Sequence, residues 1–158
     1  MLQTLGLTAK ALFSFLEYTL QNEYWFLATP WKFIKEMDSS KILIVEDERH
    51  IARFLEYVLQ REGYQIAVVN TGADALKAMS NFEPNVILLD LGLPDMNGIE
   101  VLKQIRSINN LATPKVVVLT ATLYDEVSDE LNQVGVDAQC SKPIAPTTLI
   151  RTMQEIKL

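Results

Sequence analysis

Cysteine and histidine are almost missing: Cys140 and His50 are the only ones in 158 residues. A lone cysteine excludes a disulfide framework, and apolar and charged shares of 49% and 22% are those of an ordinary intracellular globular protein. Positive charge is also short, with 14 basic against 20 acidic residues and a formal charge of −6. Such a chain has no global positive field to hold nucleic acid or an anionic membrane, so direct nucleic-acid binding is not expected. Long apolar runs are lacking as well. Around the aromatic-rich N-terminal stretch, the charge-free run between Glu23 and Lys32 is eight residues, against the roughly 20 that a membrane span needs. Lys10 is the only basic group in the first ten residues and no clean small-residue cleavage site follows, so a signal peptide fits poorly. The expected location is the cytoplasm.

What is present is organised around Asn85-Val86-Ile87-Leu88-Leu89-Asp90, an apolar run ending abruptly in an acid. Gly92, Pro94, Asn97 and Gly98 follow, so the run reads as a buried strand delivering a carboxylate to a loop at its tip. Upstream, apolar residues at Leu5, Ala9, Leu12, Phe13, Leu16, Leu20, Tyr24 and Leu27 fall on one helix face, predicting an amphipathic N-terminal helix. Residues 1–40 are taken as this helical extension plus a polar linker, and 41–158 as the domain proper. From Lys41 the pattern alternates. Strands are expected at 41–45, 64–69, 85–90, 115–120 and 136–141, and helices after each, with faces such as Ile51, Phe54, Leu55, Val58 and Leu59 ending at Gly63. Mostly continuous apolar strands alternating with helices predict an α/β fold whose parallel sheet is covered on both faces.

In such sheets ligands bind beyond the carboxyl ends of the strands. Asp47 follows the first strand, Asp90 ends the third, Thr120 ends the fourth and Lys142 follows the fifth, so all four are expected on one edge. Glu46, Asp47 and Asp90 together would repel or recruit a cation, and a hard divalent ion such as Mg²⁺ suits an open carboxylate site. A carboxylate nucleophile, a metal, the Lys142 ammonium and the Thr120 hydroxyl are the parts needed for phosphoryl transfer to an aspartate.

Four fragments, in order and spacing, resemble the receiver domain of two-component response regulators: Val45-Glu46-Asp47-Glu48, Leu88 through Gly98, Leu119-Thr120-Ala121 and Ser141-Lys142-Pro143. The resemblance spans 41–157. It implies a flavodoxin-like, doubly wound five-stranded sheet of order 2-1-3-4-5 with five helices. It implies that Asp90 accepts a phosphoryl group from the phosphohistidine of a histidine kinase or histidine phosphotransfer protein. Glu46, Asp47, Asp90 and the Gly92 backbone carbonyl then correspond to the Mg²⁺ ligands, Thr120 and Lys142 to the phosphate-sensing pair, and the peptide before Pro143 to one that is usually cis. One position departs from the family: many receivers carry Tyr or Phe three residues before the lysine, where this chain has Gln139.

Each feature has a plainer reading. Asp90 alone could solvate a loop or cap the third helix, and Glu46 and Asp47 could cap the first. His50 reads as a solvated first-turn residue and Cys140 as a small core hydrophobe. The N-terminal extension, with Trp25 and Trp31, is open to three readings: a helix packed on the domain, a dimer or partner contact, or a start-site choice, since Met37-Asp38-Ser39-Ser40-Lys41 looks like a natural receiver start. Because the chain ends at Leu158 after the last helix, the expected activity is a stand-alone signalling switch that acts on a downstream protein by contact. Its catalysis is confined to assisting its own phosphorylation and slow loss of the acyl phosphate. The alternatives are a constitutive adaptor independent of phosphorylation, and a metal-dependent phosphatase. The second would carry a general acid two residues after its nucleophile, where Gly92 stands.

Overall fold

The computed structural model describes residues 40–108, 113–121 and 124–156. The expected N-terminal helix over 5–27 lies outside the described residues, and so do Trp25 and Trp31. The elements alternate without exception: β1 (Lys41–Val45), α1 (Arg49–Arg61), β2 (Gln65–Val69), α2 (Gly72–Phe82), β3 (Val86–Asp90), α3 (Gly98–Ser107), β4 (Lys115–Thr120), α4 (Tyr124–Val134), β5 (Ala138–Ser141) and α5 (Pro146–Glu155). The strands form one sheet, β2-β1-β3-β4-β5, and every adjacent pair is parallel. This is the expected order.

Successive side chains of a strand point to opposite faces, so each apolar strand feeds two cores. Leu43, Val45, Ile87, Leu89, Val116 and Val118 pack with Ala75 and Met79 of α2, Leu102 and Ile105 of α3 and Leu131 of α4. Their neighbours Ile42, Ile44, Val86, Leu88, Val117 and Leu119 pack with Leu55 and Leu59 of α1 and Leu149 and Met153 of α5. The strands carrying the site are therefore held from both sides, and the loops at their carboxyl ends are free for chemistry.

As the order 2-1-3-4-5 implies, β2 is an edge strand, and its residues are half-buried or exposed, with Val68 40% exposed. One boundary needs correction. The fifth strand begins at Ala138 instead of Val136 because Asp137 is spent on a junction at the opposite edge of the sheet from the acids. Its Oδ2 accepts from the Val116 N–H and from Arg106 Nη2, at 2.9 and 3.0 Å, and its Oδ1 accepts from Lys115 Nζ at 2.9 Å. Arg106 in turn donates to the carbonyls of Pro114 and Gly135.

Burial works against the Asp137 charge, but hydrogen bonds from Lys115 and the Val116 N–H, with Arg106 beside them, hold its carboxyl below the ordinary value. A carboxyl whose pKa is lowered on folding adds stability above its unfolded pKa and loses it as pH falls through the folded one. Asp137→Ala is therefore expected to cost about 1–3 kcal/mol in urea unfolding at neutral pH. The difference from wild type should shrink as pH is taken below the reference value of 3.8.

Candidate functional site

β1 ends in Val45 and passes directly into Glu46 and Asp47, while β3 runs one residue further and ends on Asp90 itself. β1 and β3 are neighbours, with Val45 opposite Leu89, which sets the acids of both strands side by side. One oxygen from each of Glu46, Asp47 and Asp90 lies within 4.8 Å of the other two. Glu46 is fully buried, Asp90 is 7% exposed and Asp47 faces solvent. β4 brings Thr120, buried, to the same edge, and the Lys142 N–H donates to the Thr120 carbonyl at 2.8 Å, tying the loop after β5 to the tip of β4. An open pocket of about 280 Å³ is lined by Asp47, Asp90, Leu91, Gly92, Thr120 and Lys142, among others.

Lys142 is the counterweight. Its Nζ donates to Glu46 Oε1 at 3.0 Å and lies 2.8 Å from Oε2 and 3.0 Å from Asp90 Oδ2. Burial pushes the Glu46 carboxyl up, and the Asp90 charge adds to this against the pull of Lys142. Burial opposes the Lys142 charge too, but its two carboxylate partners hold the ammonium above the ordinary lysine value. Both directions have one origin: two buried carboxylates share one ammonium.

The donor set fits a hard divalent ion. It offers carboxylate oxygens alone, and Asp47 is exposed, leaving room for water as Mg²⁺ requires. Glu46 Oε2, buried, accepts no aligned hydrogen bond from any described residue despite the nearby Nζ, so it has capacity left. Gly92 stands at the rim, where even a Cβ would lie in ordinary contact with Asp90 Oδ2, at 3.8 Å.

The plainer readings of the acids do not match the helix ends. α1 is capped at Glu48 with no side-chain cap bond, and α3 is capped by Asn97, whose Oδ1 accepts from the Ile99 N–H at 2.8 Å. Asp90 is not the cap of α3, whereas Glu46 Oε1 accepts weakly from the Glu48 N–H just before α1, at 3.4 Å. His50 is exposed at the start of α1, and Cys140 is buried beside Thr152, as expected of each. The Lys142–Pro143 peptide is cis. Gln139 sits on β5 opposite Val118, half-buried, and its Oε1 is enclosed without a hydrogen bond from any described residue.

Two residues near the site were not singled out for these roles in the sequence. Asn97 as the α3 cap is signalled by Glu100 three residues on, the spacing of a capping box. Asp95, whose carboxylate reaches the start of α2, is 22 and 23 residues from its partners, and no local pattern announces it.

A doubly wound parallel sheet with an acidic pocket at the carboxyl ends of β1 and β3 defines the class of protein. The chain belongs to the response regulator receiver domain family, whose model matches residues 42–154. It is 38% identical over 110 residues to the alkaline phosphatase synthesis transcriptional regulatory protein PhoP of Bacillus subtilis, covering 68% of this chain and 44% of that one. It is 39% identical over 102 residues to the transcriptional regulatory protein KdpE of Mycobacterium tuberculosis, covering 65% and 44%. The chain thus spans less than half the length of these curated relatives. Among solved structures, the chemotaxis response regulator CheY4 of Vibrio cholerae superposes with a TM-score of 0.70 at 29% identity, covering 75% of this chain and 98% of that one. A CheY-like receiver domain from Methanospirillum hungatei JF-1 gives 0.69 at 30%, covering 75% and 93%. No helix among the described residues is long and apolar enough to cross a membrane.

Removing one partner of a buried ion pair leaves the other uncompensated, typically at about 3–5 kcal/mol. Lys142→Met is expected to lose stability on that scale in urea unfolding with a chelator present. Adding Asp90→Asn should recover part of the loss, because one of the two stranded charges is then gone. A double variant no more stable than the single one would show that Lys142 serves Glu46 alone.

Proposed function

We propose that this receiver takes a phosphoryl group onto Asp90 from the phosphohistidine of a histidine kinase or histidine phosphotransfer protein, and that the phosphorylated form signals by contact with a downstream protein. The convergence of Asp47, Asp90, Thr120 and Lys142 on one open pocket is the observation that carries this reading. In the transfer, an Asp90 carboxylate oxygen attacks phosphorus as the phosphorus–nitrogen bond breaks and the imidazole leaves with the electron pair. Mg²⁺, held by Glu46, Asp47, Asp90 and the Gly92 carbonyl, would supply charge neutralisation at the phosphoryl oxygens. Lys142 offers a second cation 3.0 Å from Asp90 Oδ2, already in place before the phosphoryl group arrives. The Thr120 hydroxyl, on a residue at the β4 tip that lines the same pocket, would donate to a phosphoryl oxygen. Because Lys142 is shared with Glu46, a phosphorylated Asp90 redistributes that charge, and a pre-existing equilibrium of the β4 and β5 ends shifts with it.

We take residues 41–158 as the receiver and 1–40 as a separate extension, and the protein as cytoplasmic. The transcriptional roles in the relatives' names belong to those proteins. For this chain, the net charge of −6 favours a protein target over direct contact with nucleic acid. Gln139 bears on the readout: an amide stands on β5 where many receivers carry an aromatic ring, so an inward-swinging ring is not available at that position.

Incubation with acetyl phosphate and Mg²⁺ is expected to add one phosphoryl unit to the chain by intact mass, lost in Asp90→Asn and on chelation. An unmodified wild type overturns the reading and leaves the constitutive adaptor. Gln139→Tyr is expected to leave this modification unchanged, since the residue lies outside the pocket lining. Slowed phosphorylation in that variant would place Gln139 within the reaction itself.

A further inference from the structure

The first turn of α2 is capped from two directions. A helix leaves its first N–H groups without intrahelical partners. Thr71, the residue before the helix, takes one of them, its Oγ1 accepting from the Asp74 N–H at 3.1 Å. The other two go elsewhere: the N–H groups of Gly72 and Ala73 donate to Oδ1 and Oδ2 of Asp95, each at 2.9 Å. Asp95 belongs to the loop after Asp90, so an exposed carboxylate spends both oxygens joining two separate parts of the chain. Those N–H donors hold its carboxyl below the ordinary range.

The contact is reinforced beside it. Met96 lies so close over Gly72 that a Cβ there would stand 2.6 Å from its Cγ and 2.8 Å from its Sδ, which only glycine avoids. The base of the loop is closed by the Gly98 N–H donating to the Leu91 carbonyl at 3.0 Å. Between base and clamp, Leu93 is buried and Pro94 has its φ fixed by its ring, so little slack separates Asp95 from Gly92 at the rim of the acidic pocket.

We propose that Asp95 is a positioning residue that fastens the rim of the Asp90 pocket to the start of α2, so that filling the pocket and ordering that helix end are coupled. The proposal rests on the reading of the pocket as a cation and phosphoryl site. Thermodynamic coupling is reciprocal: a cation that needs the rim in place firms the α2 start, and loosening the α2 start through Asp95 weakens the cation.

The test uses the full chain and two variants that disturb the same helix end differently. Asp95→Ala is expected to weaken Mg²⁺ binding by calorimetry about tenfold, the scale seen when a group supporting metal ligands is lost. Without metal it should speed hydrogen exchange both at Gly72 and Ala73 and across residues 91–97. Asp95→Asn, which keeps one acceptor, should fall between. Thr71→Ala removes the helix's own cap and should speed exchange at Asp74 while weakening Mg²⁺ much less than Asp95→Ala does, because the rim stays fastened. Wild-type affinity in Asp95→Ala, or equal weakening in Thr71→Ala, overturns the proposal. A wild type that binds no Mg²⁺ overturns the cation reading instead, and the metal-free exchange then decides the clamp alone: unchanged protection of 91–97 in Asp95→Ala refutes it.

Discussion

Three carboxylates and one ammonium at the end of a buried sheet set the terms for everything around them. Glu46 is fully enclosed and Asp90 nearly so, and ionised groups in such places are costly unless paired. Lys142 reaches both with a single Nζ, which leaves negative charge in excess. Well-packed apolar residues would hold this edge together at least as well, since buried ion pairs are weak contributors to stability. The arrangement is better understood from its donor set, which a hard divalent cation would fit.

The parallel sheet is the device that makes such a mismatch affordable. Crossover helices place every strand's carboxyl end on one edge, so residues 46, 90, 120 and 142 meet without any of them being near in sequence. The two apolar cores then hold the strand tips rigid from both faces. Close backbone approach does the final positioning. Gly98 lies against the end of β3, where a Cβ would come within 2.7 Å of Leu91 Cα, so α3 can start directly behind the acid it supports.

How much of this was legible in the sequence follows from how local each cause is. Val86 to Asp90 announces a buried strand ending in an acid because burial on both faces and a terminal charge are written in consecutive residues. Strand order is implied by the resemblance to receivers that the four motifs carry, and the meeting of the site residues follows from the alternation of elements, which puts every strand's carboxyl end on one edge. Where partners lie far apart, the sequence is silent. Nothing near Asp137 says that it will hold Arg106 and Lys115 and so shorten β5, and nothing near Asp95 says that it will reach Gly72. The edge position of β2 is carried by the strand order that the resemblance implies, since a strand reading Gln-Ile-Ala-Val-Val does not by itself declare it.

Gln139 shows where these two kinds of information meet. Side chains alternate along β4 and β5, so Thr120 and Val118 share a face of the sheet with Gln139 and Ser141. Val118 packs with Leu131 of α4 on that face, which places an amide among apolar neighbours with its Oε1 enclosed and unbonded to any described residue. A buried acceptor left without any partner would carry a desolvation cost of about 1–3 kcal/mol. A ring at this position would be held by packing and could be moved by volume alone; an amide is held by what it bonds to. A change at the β4 tip that brings a donor to Gln139 would recover that cost, whereas one that only changes volume would not. Gln139 stands outside the lining of the pocket, and at that place on β5 it offers an amide acceptor where many receivers carry a ring.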